Sequence, residues 1–192
     1  MDMILYGSPT FVKEILYEMD KDDYDKIVKN SGTEASVGLL GKLKGTLCRI
    51  LEIQGDIEGH ITKNVSTTKE ITDLERNLKL NNILEKDKKK LEGHLDSDFT
   101  GFLSKGLYSF SGKCQLREYY KRNVEPQIVV EFSAGNYKIS GSTSMQHWGS
   151  RSALNNILSC ESIFLHGFLY VLDITNNEQP QVHVQYILLC TS

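Results

Sequence analysis

The strongest constraint on this chain is an alternation of apolar runs and turn residues between Gln127 and Cys190. Runs rich in β-branched and aromatic residues, such as QIVVEF and QVHVQYILLC, are separated by short segments of Ser, Gly, Asn and Pro. This pattern is typical of antiparallel strands joined by tight connections. The same stretch holds the single Trp of the chain. We therefore expect it to form the core of the fold.

The last apolar run predicts which side chains share a face of the sheet. Along a strand, every second side chain points to the same side. One predicted face therefore carries Val182, Val184, Tyr186, Leu188 and Cys190. His183 and Gln185 lie on the opposite face.

Charged residues are concentrated in the first part of the chain. Of the 22 Lys and Arg and the 25 Asp and Glu, only nine lie after residue 120. Leucines and isoleucines at helical spacing within residues 66–95 predict a long charged helix there. We therefore predict an α+β fold, with two or three N-terminal helices packed with a C-terminal, mostly antiparallel β-sheet. The predicted regions are a helical part (1–95), a junction (96–112) and an antiparallel β part (113–192).

Residues 37–53 read as an amphipathic helix. Its apolar side would present Leu40, Leu43, Leu47, Ile50 and Leu51. Such a face packs against the rest of a fold, contacts a partner or lies on a membrane surface. The sequence leaves these alternatives open.

The overall composition narrows the class of protein. The chain has 192 residues, 40% hydrophobic residues and a formal charge of −3, as expected for a globular protein. A negative net charge gives no support for a nucleic-acid partner, so none is expected. Because no signal peptide or transmembrane segment is recognised, we expect a cytoplasmic protein. Its four widely spaced cysteines are then expected to be free, buried thiols.

Catalytic and metal-binding motifs are weak in this sequence. Cys160 and His166 could pair as a nucleophile and its base, but no third group is placed to orient the imidazole. The spacing of His147, His166 and His183 does not match a metal site. We therefore predict no catalytic residues, no metal and no cofactor.

The loop that joins Met145 to Arg151 is the best candidate for a binding site. It combines His147, Trp148 and Arg151 on a segment flanked by Gly and Ser. Trp and Arg are enriched where interfaces concentrate their binding energy. The alternative interpretation is structural: Trp148 closes the open end of the sheet and Arg151 stacks on it.

Two short segments resemble known families. Trp148-Gly149 and Arg151-Ser152 lie between two predicted strands. This order is similar to that in the sheet of F-actin capping protein α-subunits, over about the last third of the chain. This resemblance implies a cytoskeletal setting, although the fuller aromatic and glycine pattern of that family is not reproduced. GFLYVL and the final hairpin are similar to a strand pair of actinoporin-type pore formers. We assign the chain to neither family.

These observations favour a non-enzymatic protein–protein interaction or assembly module that binds another protein or itself. The first alternative is a membrane-active protein, pore-forming or lipid-binding, that uses residues 37–53. The second alternative is a small hydrolase with the Cys160–His166 pair.

Overall fold

The structure is a computed structural model that describes residues 3–8, 73–86, 88–149, 151–175 and 180–191. The chain divides into two compact units, and each is described by itself. One unit comprises Met1–Pro9 with Lys88–Ser192, and the other comprises Thr10–Asp87.

In the unit Thr10–Asp87, the described element is helix α1, Asp73–Lys86. Leu80 and Leu84 are both buried, and residues four apart lie on the same side of a helix. Lys86 lies in the last turn, where a positive charge interacts favourably with the helix dipole. No helix among the described residues is long and apolar enough to cross a membrane.

In the other unit, the described residues form seven strands, one helix and two 3-10 turns. The strands are β1 (Met3–Gly7), β2 (Gly93–Leu95), β3 (Gly106–Tyr119), β4 (Gln127–Ala134), β5 (Tyr137–Ser144), β6 (Ile163–Thr175) and β7 (Gln181–Thr191). Helix α2 is Arg151–Leu158. The 3-10 turns are Lys88–Lys90 and Met145–His147.

Strand β3 closes the sheet into a barrel because it pairs along both of its edges. Its residues Gly106 to Cys114 pair antiparallel with β6, and Gln115 to Tyr119 pair antiparallel with β4. The order around the barrel is therefore β3–β4–β5–β7–β6 and back to β3. Strands β5 and β7 are parallel, and the other four pairs around the barrel are antiparallel.

The connections between these five strands define the topology. Strands β3, β4 and β5 follow one another as neighbours, α2 leads on to β6, and β7 lies between β5 and β6. A five-stranded Greek-key barrel with this strand order and this helix is an OB fold. Two short strands extend it: β1 pairs with β7, and β2 pairs with β3 along the edge that β4 leaves free.

The core of the barrel contains a cluster of aromatic rings. Phe110 stacks on Phe132 at a centroid distance of 4.9 Å and meets Tyr186 edge-on at 5.7 Å. Tyr186 is fully buried, and its hydroxyl donates to the carbonyl of Val130 at 3.1 Å. The polar end of the ring therefore has a partner, as buried polar groups require. Burial also raises the pKa of Tyr186 well above its usual range.

The predicted α+β class is wrong. The fold is dominated by a closed five-stranded barrel, and its strands begin already at Met3 and Gly93, in the region predicted to be helical. The described helices are α1 and the two-turn α2, so an amphipathic helix is not a defining element of the fold. The predicted long helix 66–95 ends at Lys86 in the described residues. Residues 37–53 lie outside the described part of the chain.

The predicted face of the last strand is also only partly right. Val182, Val184 and Tyr186 do share the core face. Tyr186 pairs with Leu169 while Leu188 pairs with Phe168, so Ile187 is an extra residue in the ladder. Such a bulge reverses the alternation beyond it, and Leu189, rather than Leu188, belongs to the core cluster.

Gly167 provides a test of the strand pairing. Its φ of 152° lies where side chains are rarely tolerated, and an added Cβ would collide with the carbonyl oxygen of Leu188. We expect Gly167→Ala to lower the free energy of unfolding by about 1–3 kcal/mol, measured by urea denaturation. Gly149→Ala is the control, because an added Cβ there has its nearest atom at 3.7 Å. An equal effect of both substitutions would contradict the described backbone at Gly167.

Candidate functional site

One end of the barrel gathers the side chains best placed to bind a partner. It comprises residues 119–126, between β3 and β4, and residues 144–149 with Arg151, between β5 and α2; we call it the loop end. The Ser144 hydroxyl donates to Glu125 Oε1 at 2.9 Å, and the Met145 amide donates to the Pro126 carbonyl at 3.0 Å. These two bonds hold the two segments together.

Two adjacent tyrosines stand at the loop end in solvent. Tyr119 ends β3, and Tyr120 follows it with 63% of its surface exposed. The chain then turns through Lys121 to Val124, closed by a bond from the Val124 amide to the Lys121 carbonyl at 3.1 Å. Asn123 has a φ of 63°, a left-handed conformation that Asn tolerates well. The turn and the end of β3 therefore expose apolar and aromatic surface to solvent.

The position of the Tyr120 side chain is fixed by its hydroxyl. It donates to Glu118 Oε2 at 2.8 Å. The pKa of Tyr120 is raised, first by this hydrogen bond, and Arg151 opposes the shift through its charge. Tyr120 and Arg151 are therefore close enough to interact electrostatically. The hydrogen bond to Glu118 favours one orientation of this exposed ring.

Positive charge is also concentrated around the loop end. The loop end carries three cations, Lys121, Arg122 and Arg151, and one carboxylate, Glu125, a net charge of +2, and Glu118 and Glu131 lie on the adjoining strands. Each glutamate has a partner: Glu118 binds Tyr120, Glu125 binds Ser144, and Glu131 accepts a bond from Arg117 at 3.0 Å. Among the residues that the structure describes, Lys121, Arg122 and Arg151 have no ion pair and are exposed. Their charges are available to a ligand.

The adjoining outer face of β3, β4 and β5 is mostly polar and includes one buried apolar residue, Val129. Three serines alternate along β5 on this face, namely Ser140, Ser142 and Ser144. Across β4, the Ser140 hydroxyl donates to Glu131 at 3.4 Å, beside the Arg117–Glu131 ion pair. Short hydroxyl side chains leave room above the sheet for an extended ligand.

The structure places the three predicted binding residues in different environments. Arg151 begins α2, is exposed and lies near Tyr120. His147 is half-buried, and its Nε2 lies 3.2 Å from Nε2 of the Gln146 side chain. Trp148 is only 6% exposed and packs in the core against Tyr6, with ring centroids 5.9 Å apart. A binding role for the three together stays a prediction. Because Trp148 is buried, it can contribute to binding only by supporting the loop from within the core.

Trp148 also takes part in a buried hydrogen-bond chain. Its Nε1 donates to the Thr143 hydroxyl at 3.1 Å, and that hydroxyl donates to the Ile128 carbonyl at 3.0 Å. Its backbone forms a bridge to Tyr6 of β1. The indole therefore connects β1, β4 and β5 in the core.

The other predicted sites gain no support from the described geometry. The Cys160 thiol donates to the Asn156 carbonyl at 3.4 Å, whereas His166 lies within β6, opposite Ser111. His147 is in a 3-10 turn and His183 is near the start of β7. No group of three potential metal ligands occurs among the described residues. The apolar set Leu40, Leu43, Leu47, Ile50 and Leu51 lies outside the described residues.

The sequence interpretation missed the tyrosines and the cations beside them. Residues 119–122 read YYKR directly before a turn, and they were interpreted only as a strand end. The available signal for exposed rings was a pair of adjacent aromatic residues followed by two cations before a turn. A strand end that leaves the sheet cannot bury both rings.

Comparison with known proteins adds no assignment. No family model, curated protein or solved structure matches the chain. The OB topology rests on strand order alone.

Trp148 gives a test of the barrel core. Removing a buried aromatic side chain costs about 3–5 kcal/mol, and Trp148→Ala would also leave the Thr143 hydroxyl without its donor. We expect a loss of stability in that range by urea denaturation and a smaller loss for Trp148→Phe. An unchanged unfolding midpoint in Trp148→Ala would contradict the buried position.

The cysteines give a test of burial. Cys114 and Cys190 are buried and Cys160 is exposed, so the prediction of buried thiols is wrong for Cys160. Burial raises the pKa of Cys114 to about 12, which leaves little of the reactive thiolate at neutral pH. We expect iodoacetamide to modify Cys160 well before Cys114, as followed by mass spectrometry of the native protein. Equal rates at the two positions would contradict the described core.

Proposed function

We propose that this protein is an interaction module that binds single-stranded nucleic acid at the loop end and on the adjoining face of β3, β4 and β5. The observation that carries the proposal is the pair of exposed tyrosines, Tyr119 and Tyr120, beside the available cations Lys121, Arg122 and Arg151. Proteins that bind single strands combine aromatic platforms for the bases with positive charge for the backbone.

The aromatic part of the proposal rests on pre-positioning. Glu118 holds the Tyr120 hydroxyl, so a base can stack on the ring without first ordering the side chain. Less conformational entropy is then lost on binding. Because every base has a π-face, the contact tolerates different sequences.

The electrostatic part rests on where the charges lie. The whole chain has a formal charge of −3, which led to the expectation of no nucleic-acid partner. That expectation averages the charge over the whole chain, whereas the loop end by itself has a net charge of +2. Phosphates respond to the local charge within about one Debye length, ~8 Å at physiological salt. The topology adds support, because OB folds bind oligonucleotides on the second and third barrel strands and on the loop between the first and second, here β4, β5 and residues 119–126.

A protein partner is the second candidate. Val124 is 43% exposed in the same turn, and protein interfaces combine apolar surface with Tyr and Arg. Glu118 and Glu125 could face cations of such a partner once their present contacts open. This candidate corresponds to the assembly module predicted from the sequence.

The test measures binding of fluorescein-labelled single-stranded DNA of about 20 nucleotides by fluorescence anisotropy at several salt concentrations. We expect Tyr120→Ala to weaken binding by about fivefold or more through lost stacking. We expect the double variant Lys121→Ala, Arg122→Ala to reduce the salt slope of the logarithm of the binding constant by about 1.4.

The chain offers matched controls away from the loop end. Phe102 is 97% exposed and precedes β3, at the other end of that strand from Tyr120, so Phe102→Ala tests loss of an exposed ring elsewhere. Lys105→Ala tests loss of a cation there. Equal losses in control and site variants, or no binding at low salt, would refute the proposal. Concentration-dependent sedimentation that Val124→Glu abolishes would then favour self-association.

A further inference from the structure

A second cluster of chemically useful side chains lies where β2 joins the barrel. His94 of β2 pairs directly with Ser109 of β3 in the parallel register, and Ser111 follows two residues later. Ser109 and Ser111 therefore point to the same side of β3, opposite to the core residues Tyr108 and Phe110. The imidazole spans both hydroxyls.

The hydrogen bonds of His94 define how protons are shared. Its Nδ1 is 2.9 Å from the Ser109 hydroxyl, and its Nε2 is 2.9 Å from the Ser111 hydroxyl. A neutral imidazole has one donor and one acceptor nitrogen, so one of the two hydroxyls donates into the ring. Ser109 is only 2% exposed, whereas Ser111 is half-buried. Ser111 is thus the hydroxyl that a reagent can reach.

We propose that Ser111 is a nucleophilic serine that accepts an acyl group from activated esters, with His94 as its general base. A nucleophile within hydrogen-bond distance of a base that a third group orients is the recognised geometry of such a site. In the tautomer with the proton on Nδ1, that N–H donates to the Ser109 hydroxyl and the Nε2 lone pair faces Ser111, so Ser109 is the positioning residue.

Asp96 completes the electrostatics of the cluster. Its Oδ2 lies 3.9 Å from His94 Nε2, the nitrogen that would gain the proton. When imidazolium forms, this carboxylate stabilises the new positive charge. The contact is on Nε2 rather than Nδ1, so Asp96 acts by its charge and does not take the place of Ser109 as the positioning residue.

The proposed reaction balances without a cofactor. Ser111 Oγ attacks the ester carbonyl carbon while its proton passes to His94 Nε2. The tetrahedral intermediate then collapses, the bond from carbon to the leaving alcohol oxygen breaks, and His94 returns the proton to that oxygen. The products are an acyl ester on Ser111 and a free alcohol, and no group is oxidised or reduced.

Neighbouring residues indicate the substrate class. Lys113 is the next residue on the same side of β3, and it pairs with Phe164 of β6. Phe164 also faces outward and is 55% exposed, so it offers an apolar contact beside Ser111. A cation and an aromatic ring fit an aryl ester, whose carbonyl oxygen becomes negative during attack and whose leaving group is apolar.

The test treats the full chain with p-nitrophenyl acetate and locates acetyl groups by tandem mass spectrometry over time. Ser142, an exposed serine on β5, is the internal control in the same sample. We expect Ser111 to be acetylated about 100-fold or more faster than Ser142, the lower range for general-base assistance. The rate at Ser111 should rise with pH as the imidazole loses its proton, because imidazolium cannot accept another.

The variants separate base catalysis from simple exposure. We expect His94→Gln to lower the Ser111 rate to that of Ser142, and Ser109→Ala to lower it less and change its pH profile. Circular dichroism confirms that each variant is folded. Acetylation of Ser111 in the wild type no faster than that of Ser142 would overturn the proposal, as would a pH-independent rate. Both results come from the unmodified protein, so neither depends on a variant that folds.

Discussion

The fold depends on the ability of β3 to pair along both edges. A flat sheet of five strands would leave two edges with unpaired backbone groups. Here the first nine residues of β3 bond to β6 and the last five bond to β4, so the sheet closes and those edges disappear. Closure also encloses a single apolar interior, in which Phe110 can contact rings from both β4 and β7.

Closure brings polar groups inside, and those of Trp148, Thr143 and Tyr186 have hydrogen-bond partners. The Trp148 indole, the Thr143 hydroxyl and the Ile128 carbonyl form one buried chain, and the Tyr186 hydroxyl reaches the Val130 carbonyl. Burying such groups without partners would cost about 1–3 kcal/mol each. The bonds therefore specify one arrangement of β4, β5 and β7. They also explain why a Trp in a loop of small polar residues belongs to the core.

The two proposed sites occupy different parts of this scaffold and use different physics. The loop end has exposed rings and cations that a rigid barrel holds in place, which suits reversible binding of an extended anionic chain. The cluster around His94 depends on β2, a strand of three residues added to the barrel edge. Without β2, the hydroxyls of Ser109 and Ser111 would be ordinary polar groups of β3. A short edge strand thus changes the chemistry of a long one.

The sequence by itself determined the strands from Gln127 onwards, because alternating β-branched and aromatic residues encode a local period of two. It did not determine β1 or β2, since runs of five and three residues carry too little periodicity and their partners are distant in the chain. It also could not show the bulge at Ile187, which is set by the pairing with β6. For the candidate sites, the residue types at 119–122 were visible, but their exposure was not. Contact between His94 and Ser111 exists only in the folded chain, because strand register, which is a long-range property, decides which side chains meet.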